Sequence, residues 1–597
     1  MQVLDPRGSA TSYTPDGFVA AVAYPDQTVS FGYDAAGNRV AMADRLGTSA
    51  WSVDWAGRVT SAKDANGAVV TYRFDLAGNE TRVAYPDGRV LARVFDGRGL
   101  ATAQSDGSGT TTFGFDADGE VARIGRASGV VTAIGRDLVG RVTELVHAGR
   151  GVDTSDLPMG EVNPSSMAPG NAWGHCKANG NGHPNQRPAG CTTGVLAFSY
   201  DYDGRGLVTE RRVVTEGATT ATTYSHDVLG RLTRSVSGPY VATYGWDASS
   251  NLVAETVSDD LGTNLADDGR TVVRSVDAAN QVRSIVTDSG HLPEVHTTTT
   301  ALAYDQRGNR VLEVLTRTTG ATTHILNQVS HTFDAMDQVV GSHDTGANQN
   351  QPKDDVVTAW SRDGIGRALG VRQSGVSRAR VFDGFDVVAD GAVRVTRDPW
   401  GRVAGEAFER VVGAGSKATT VTVRRDVLGD VLGSATAVAT EGLISADLRL
   451  FGDFGEELTS PGWDTVAGFT GAVDAGTGGG ALVEFASRAY DPGSRVWVQA
   501  DSYLGSLTAS SSMNRYAYVQ GAPESFTDTL GYFRAAAAIA SQRLSAAEAA
   551  WLIAVMNQYL RTDQCASYDG CGTTAVVGDG KGGPGRAPGG RCRSWTG

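Results

Sequence analysis

Val70, Tyr72 and Phe74 alternate with Thr71 and Arg73 in the stretch VVTYRFDLAGNETRVAYPDGRV, residues 69–90. That period of two predicts a strand with one buried face. Asp75 can accept hydrogen bonds from the turn that follows, Gly78 supplies left-handed backbone, and Asn79 tolerates it. Pro86-Asp87-Gly88 marks a second turn, so the unit reads strand, turn, strand, turn.

The same pattern returns along the chain. An aromatic or equivalent residue precedes Asp at Tyr33-Asp34, Phe74-Asp75, Phe95-Asp96 and Phe115-Asp116. With Asp54 and Asp137 the aspartates are spaced by 20, 21, 21, 20 and 21 residues. After an interruption the motif resumes at Asp227, Asp247, Asp305, Asp334, Asp363, Asp398 and Asp426. An isolated hairpin is marginal in water, so successive units are expected to pair into one continuous sheet. The motif aspartates and aromatics are read as turn caps and stacking groups.

Composition sharpens this picture. The 597 residues include 77 Gly and only 18 Pro, suited to many tight turns, and the net charge of −14 argues against a nucleic-acid-binding body. No stretch reaches the about eighteen apolar residues of a membrane span, and MQVLDPRGSA lacks the regions of a signal peptide. The chain opens in mid-repeat, which predicts a truncated or re-delimited product. Residues 151–194 are a Pro, Gly, Asn and Ser-rich surface insertion. Its His175, Cys176, His183 and Cys191 match no standard zinc spacing, leaving a Cys176–Cys191 disulfide or free thiols as the simpler readings. A second polar insertion, 343–355, reads as a loop tip. No cofactor or metal is expected.

The repeat resembles the YD-repeat of the Rhs family, shared with the C components of insecticidal Tc toxins and with teneurins, over about residues 1–530. The resemblance implies a mainly β fold, an antiparallel sheet spiralling into a hollow shell or β-cocoon. Residues 1–465 would form that shell, 466–532 a terminal plug, and 533–597 a variable, mainly helical effector-like segment.

The plug is similar to the Rhs core-associated domain at Arg488-Tyr490-Asp491-Pro492, Arg495-Val496-Trp497, Asp501 to Gly505, Asn514-Tyr516-Tyr518 and Asp528 to Gly531. In that family the module is an intramolecular aspartyl protease. The resemblance assigns the catalytic carboxylates to Asp501 and Asp528, 27 residues apart, and scission between Tyr532 and Phe533. Paired carboxylates suit the chemistry because one activates water while the other donates a proton. Arg488 or Arg495 would orient one of them. Ser502 and Thr529 stand where the family has proline, and Tyr532 where it usually has leucine.

Beyond the seam, Ser545 and Glu548 form a capping box before Trp551, Leu552, Ile553, Val555 and Met556, which predicts two helices meeting near Leu544. That apolar stripe reads first as core packing and second as a membrane-surface face. The tail carries Cys565, Cys571, Cys592, Lys581, Arg586, Arg591 and Arg593, and shows no toxin chemistry. The function implied by the resemblance is a secreted or cell-surface polymorphic toxin fragment. Its shell would enclose the C-terminal cargo, serve interbacterial competition, and work with an immunity protein and secretion machinery. The alternative is a non-enzymatic surface protein for adhesion or carbohydrate binding.

Overall fold

The computed structural model describes residues 2–4, 9–152, 192–215, 218–258, 269–289, 297–345, 355–412, 418–459, 461–474, 482–502, 510–528, 531 and 535–536. Thirty-seven strands form one sheet. From Gln2–Leu4 to Leu443–Ser445 nearly every strand pairs antiparallel with its neighbours in sequence, so the wall is a single long meander. The exception is Thr192–Thr193, which pairs with Leu443–Ser445 while Val142–Ala148 pairs directly with Val195–Tyr202.

Each Asp-turn is built the same way. At Asp75 the backbone N–H donates to the Asn79 carbonyl (3.0 Å), and the Gly78 N–H donates to the Asp75 carbonyl (3.1 Å). The carboxylate accepts the Asn79 N–H and the Asn79 side-chain amide, both at 2.9 Å. A bulge between Arg73 and Phe74 precedes the turn and re-aims the aromatic ring. The third residue after Asp sits at positive φ, 94° at Gly78. Ser250, Asn280 and Asp337 hold the same conformation elsewhere at φ 61°, a strain that only fixed surroundings sustain.

Consecutive turns are bolted together. Arg58 reaches from its own turn to the Asp75 carbonyl (3.3 Å) and lies over the Phe74 ring at 4.7 Å. Arg141 repeats this on Asp203 and Tyr202, and Arg231 on Asp247 and Trp246. The aromatic-Asp pair is therefore a socket for the arginine of the preceding turn.

The wall coils onto itself. Distal turns of the first coil touch Asp-turns at sequence separations of 282 to 320 residues. Tyr72 donates to Asp383 (2.8 Å), Arg89 to the Val388 carbonyl (2.7 Å), and Gln104 to the Arg397 carbonyl (2.7 Å). Trp400, at an Asp-turn tip, meets Phe113 edge-on at 5.0 Å. The architecture is thus a spiral antiparallel shell, with one revolution per about 300 residues.

Two details correct the repeat as read from sequence. Asp426 caps no turn: it lies within the strand Thr419–Gly429, paired with Ala439, and the turn falls four residues later at Asp430. The run DVLGDVLGS holds two overlapping matches, and burial selects the second, placing Val431 at 1 % exposure in the seam. Turns at Asp203 and Asp277 also belong to the series.

After Leu443–Ser445 the chain leaves the wall. The described residues between 446 and 528 pack as a small module with a four-stranded sheet, Val473–Asp474, Val483–Glu484, Ala489–Asp491 and Val496–Trp497. Its core joins Phe469, Phe485, Tyr490, Trp497 and Tyr518. Leu482, Ala489 and Val498 pack on wall residues Val339, Trp360 and Val371. Val496 and Tyr516 pack on Val272, Ile285 and Leu302. Ala535–Ala536, in an alanine-rich stretch read as helical, is instead extended and pairs with Phe526–Thr527. The cysteines and histidines of the 151–194 insertion and the expected helices around Leu544 lie outside the described residues.

Candidate active site

Arg488 enters the strand Ala489–Asp491, which pairs with Val496–Trp497. That hairpin places its guanidinium carbon over the Trp497 ring, 4.0 Å from the centroid. Stacking on an indole fixes the plane of the fork and partly replaces lost hydration. One nitrogen, Nη2, faces Asp501 Oδ2 at 2.9 Å and Asp528 Oδ2 at 3.3 Å. The other, Nη1, donates to the Arg515 carbonyl at 3.3 Å. Two oxygens on one nitrogen lie within about 6 Å of each other, close enough for each charge to govern the other. Asp501 is 8 % exposed and Asp528 3 %.

Each carboxylate is held by its own backbone. The Asp501 N–H donates to the Arg515 carbonyl (3.0 Å), and Arg515 Nε returns a bond to the Asp501 carbonyl (2.6 Å). Asp528 follows the strand Phe526–Thr527, and its Oδ1 accepts the Gly531 N–H at 2.8 Å. Gly531 has φ 78°, and its carbonyl accepts the Ser487 hydroxyl at 3.0 Å. Thr527 pairs with Ala535 and Phe526 with Ala536. Tyr532 and Phe533 lie outside the described residues.

Sequence left Arg488 and Arg495 as alternatives, and the structure separates them. Arg495 lies away from both aspartates, donating to Glu255 (2.7 Å) and pairing with Glu456 (2.9 Å), with Phe454 beneath its guanidinium. It anchors the module to the wall, as Asp491 does by accepting from Arg310 at 2.7 Å. Ser487, Arg515 and Trp497 frame the pair of aspartates without having been assigned that role. Only adjacency to Arg488 and to the Asn514-Tyr516 motif pointed toward the first two.

The site thus sits in an aromatic module with two buried aspartates, packed on a spiral sheet of Arg-bolted Asp-turns. The family description RHS Repeat matches residues 54–90, so the wall carries an RHS repeat there. No curated protein sequence matches it. Among solved structures, the TcdB2-TccC3-TEV crystal structure aligns at TM-score 0.32 and 12 % identity, covering 88 % of this chain and 31 % of that one. The Photorhabdus luminescens Tc holotoxin pore aligns at 0.32 and 12 %, covering 92 % and 32 %. TcdB2-TccC3 aligns at 0.29 and 12 %, covering 88 % and 36 %. The chain spans about a third of the length of these structures.

Proposed function

We propose that the chain is the closing part of an RHS-type toxin shell that releases residues 533–597 by cutting itself after Tyr532. The observation that supports this is the convergence of Asp501 and Asp528 on Arg488 beside the Gly531 seam. In the hydrolysis one ionised aspartate takes a proton from water as the water oxygen bonds to the Tyr532 carbonyl carbon. The other, protonated, gives its proton to the Phe533 nitrogen as the C–N bond breaks. The products are a Tyr532 carboxylate and a free Phe533 amine. The released segment is the effector, delivered outside the producing cell and neutralised in it by an immunity protein.

Denaturing electrophoresis with intact mass measurement tests the cut. Wild-type protein separates into fragments ending at Tyr532 and beginning at Phe533, while Asp501→Asn and Asp528→Asn remain whole. A wild-type chain that stays intact refutes the proteolytic half of the proposal. Growth arrest on expressing residues 533–597 in bacteria tests the effector half, and unimpaired growth refutes it.

A further inference from the structure

In many Asp-turns the fourth residue after Asp returns its side chain to that Asp, as Arg58, Asn79, Arg141, Arg231, Asn251 and Asn309 do. Leu100, Glu120 and Leu207 at this position give the turn a backbone N–H, and three other turns send the residue to the terminal module. Gln281 donates to the Tyr516 hydroxyl (3.1 Å), Ser434 accepts the Thr470 N–H (3.0 Å), and Gln338 donates to the Ser487 carbonyl (3.1 Å). The third leads to the seam. Ser487 donates onward from its hydroxyl to the Gly531 carbonyl, and the Gly531 N–H ends on Asp528.

At its other end the Gln338 turn is where the first coil seats. Asp26 accepts the Ala335 N–H (3.1 Å), Arg45 pairs with Asp334 (3.4 Å), and Gln27 reaches the Met336 sulfur (3.4 Å). A continuous path of hydrogen bonds therefore runs from the coil-on-coil contact, through one turn, to the peptide beside the paired aspartates.

We infer that Gln338 and Ser487 are positioning residues for scission, holding Gly531 in place only when the first coil is seated on the Asp334 turn, so that cutting waits for shell closure. The inference rests on the self-cleavage proposed above. Its physical basis is that a peptide misplaced by about 1 Å loses roughly a hundredfold in rate. Ser487 touches the chain next to the scissile peptide rather than the bond itself, and Gln338 acts through Ser487. Coupling of this kind keeps cargo uncut in an open, unfinished shell.

The test follows fragment appearance in the full chain after dilution from denaturant, with circular dichroism confirming that each variant refolds. Ser487→Ala and Gln338→Leu are expected to cut about ten- to a hundredfold more slowly, with an unchanged pH profile because the aspartates and Arg488 are untouched. Ser487→Thr restores most of the rate. Asp26→Ala with Arg45→Ala, remote from the module, slows cutting to a similar extent. Wild-type rates in Ser487→Ala and Gln338→Leu, with Asp528→Asn inactive, overturn the inference. If the wild type does not cut, the proteolytic reading fails on its own, and amide exchange at Gly531 decides the tether. Faster exchange in both Ser487→Ala and Gln338→Leu sustains it, and unchanged protection overturns it.

Discussion

Acidification should loosen the seam between coils, and His147 is the group that makes the effect calculable. Its ring is 2 % exposed and bridges the two coils. Nδ1 meets the Thr132 hydroxyl at 2.9 Å and Nε2 meets the Gly429 carbonyl at 2.9 Å. A carbonyl can only accept, so the neutral ring carries its proton on Nε2. Burial, reinforced by the neighbouring Arg126 guanidinium and opposed by the bond to Gly429, pushes the imidazole down to about 3. An unfolded histidine titrates near 6.5, so between these values the unfolded chain binds the proton and the native one does not. Stability contributed by neutral His147 is then complete above about pH 6.5 and drains away as pH falls toward about 3. At about pH 5 the loss is roughly 2 kcal/mol. The buried Asp398 and Asp430 shift the other way, raised by desolvation, so their protonation partly masks this loss in the wild type. A difference measurement removes them. Urea unfolding of wild type and His147→Gln, which keeps a donor and an acceptor, at about pH 7.5 and pH 5 should show the variant losing about 2 kcal/mol less. Equal losses in both proteins would refute the reasoning.

Other perturbations follow from the same geometry. Trp400→Ala removes the edge-on contact with Phe113 and should cost about 2–3 kcal/mol in denaturant unfolding, whereas Trp55→Ala, one position earlier on its own Asp-turn and 93 % exposed, should change stability by less than about 0.5 kcal/mol. Arg495→Met removes the cation shared by Glu456 and Glu255, the latter keeping Arg270 and Arg274, and urea unfolding should register a loss of about 3 kcal/mol. Gly531→Ala places a Cβ 2.6 Å from the Ser487 hydroxyl at φ 78°, so fragment release should slow while the melting of the wall stays unchanged.

Much of the wall was legible because its signal is local. The alternation around Val70 and Tyr72 and the Asp-x-x-Gly spacing each act within one hairpin, and both residues are buried as the period predicts. Legibility fails where the choice is tertiary. Asp426 and Asp430 carry almost the same local pattern, and only packing of Val431 and Leu428 into the seam decides which becomes the turn. Trp55 and Trp400 likewise both sit on Asp-turn tips, one and two residues after the aspartate. One faces solvent and the other a second coil, a difference fixed by residues about 300 positions away.

The site divides along the same line. The candidates Asp501 and Asp528 were legible from ordered motifs, and Asp528 accepts the Gly531 N–H of its own motif. Which arginine serves them was not, because Arg488 and Arg495 are both buried, both stacked on aromatics, and both paired with two carboxylates. Buried guanidinium groups are placed by whatever anions the fold assembles around them. Here the hairpin joining Ala489–Asp491 to Val496–Trp497 sends one arginine to each side of the module. Arg495, at φ 66°, turns outward to wall residue Glu255, and Arg488 stays over Trp497 between the two aspartates. Exchanging their roles would require that hairpin to reverse its faces, so the assignment of Arg488 stands or falls with the one-residue register of Tyr490 against Trp497.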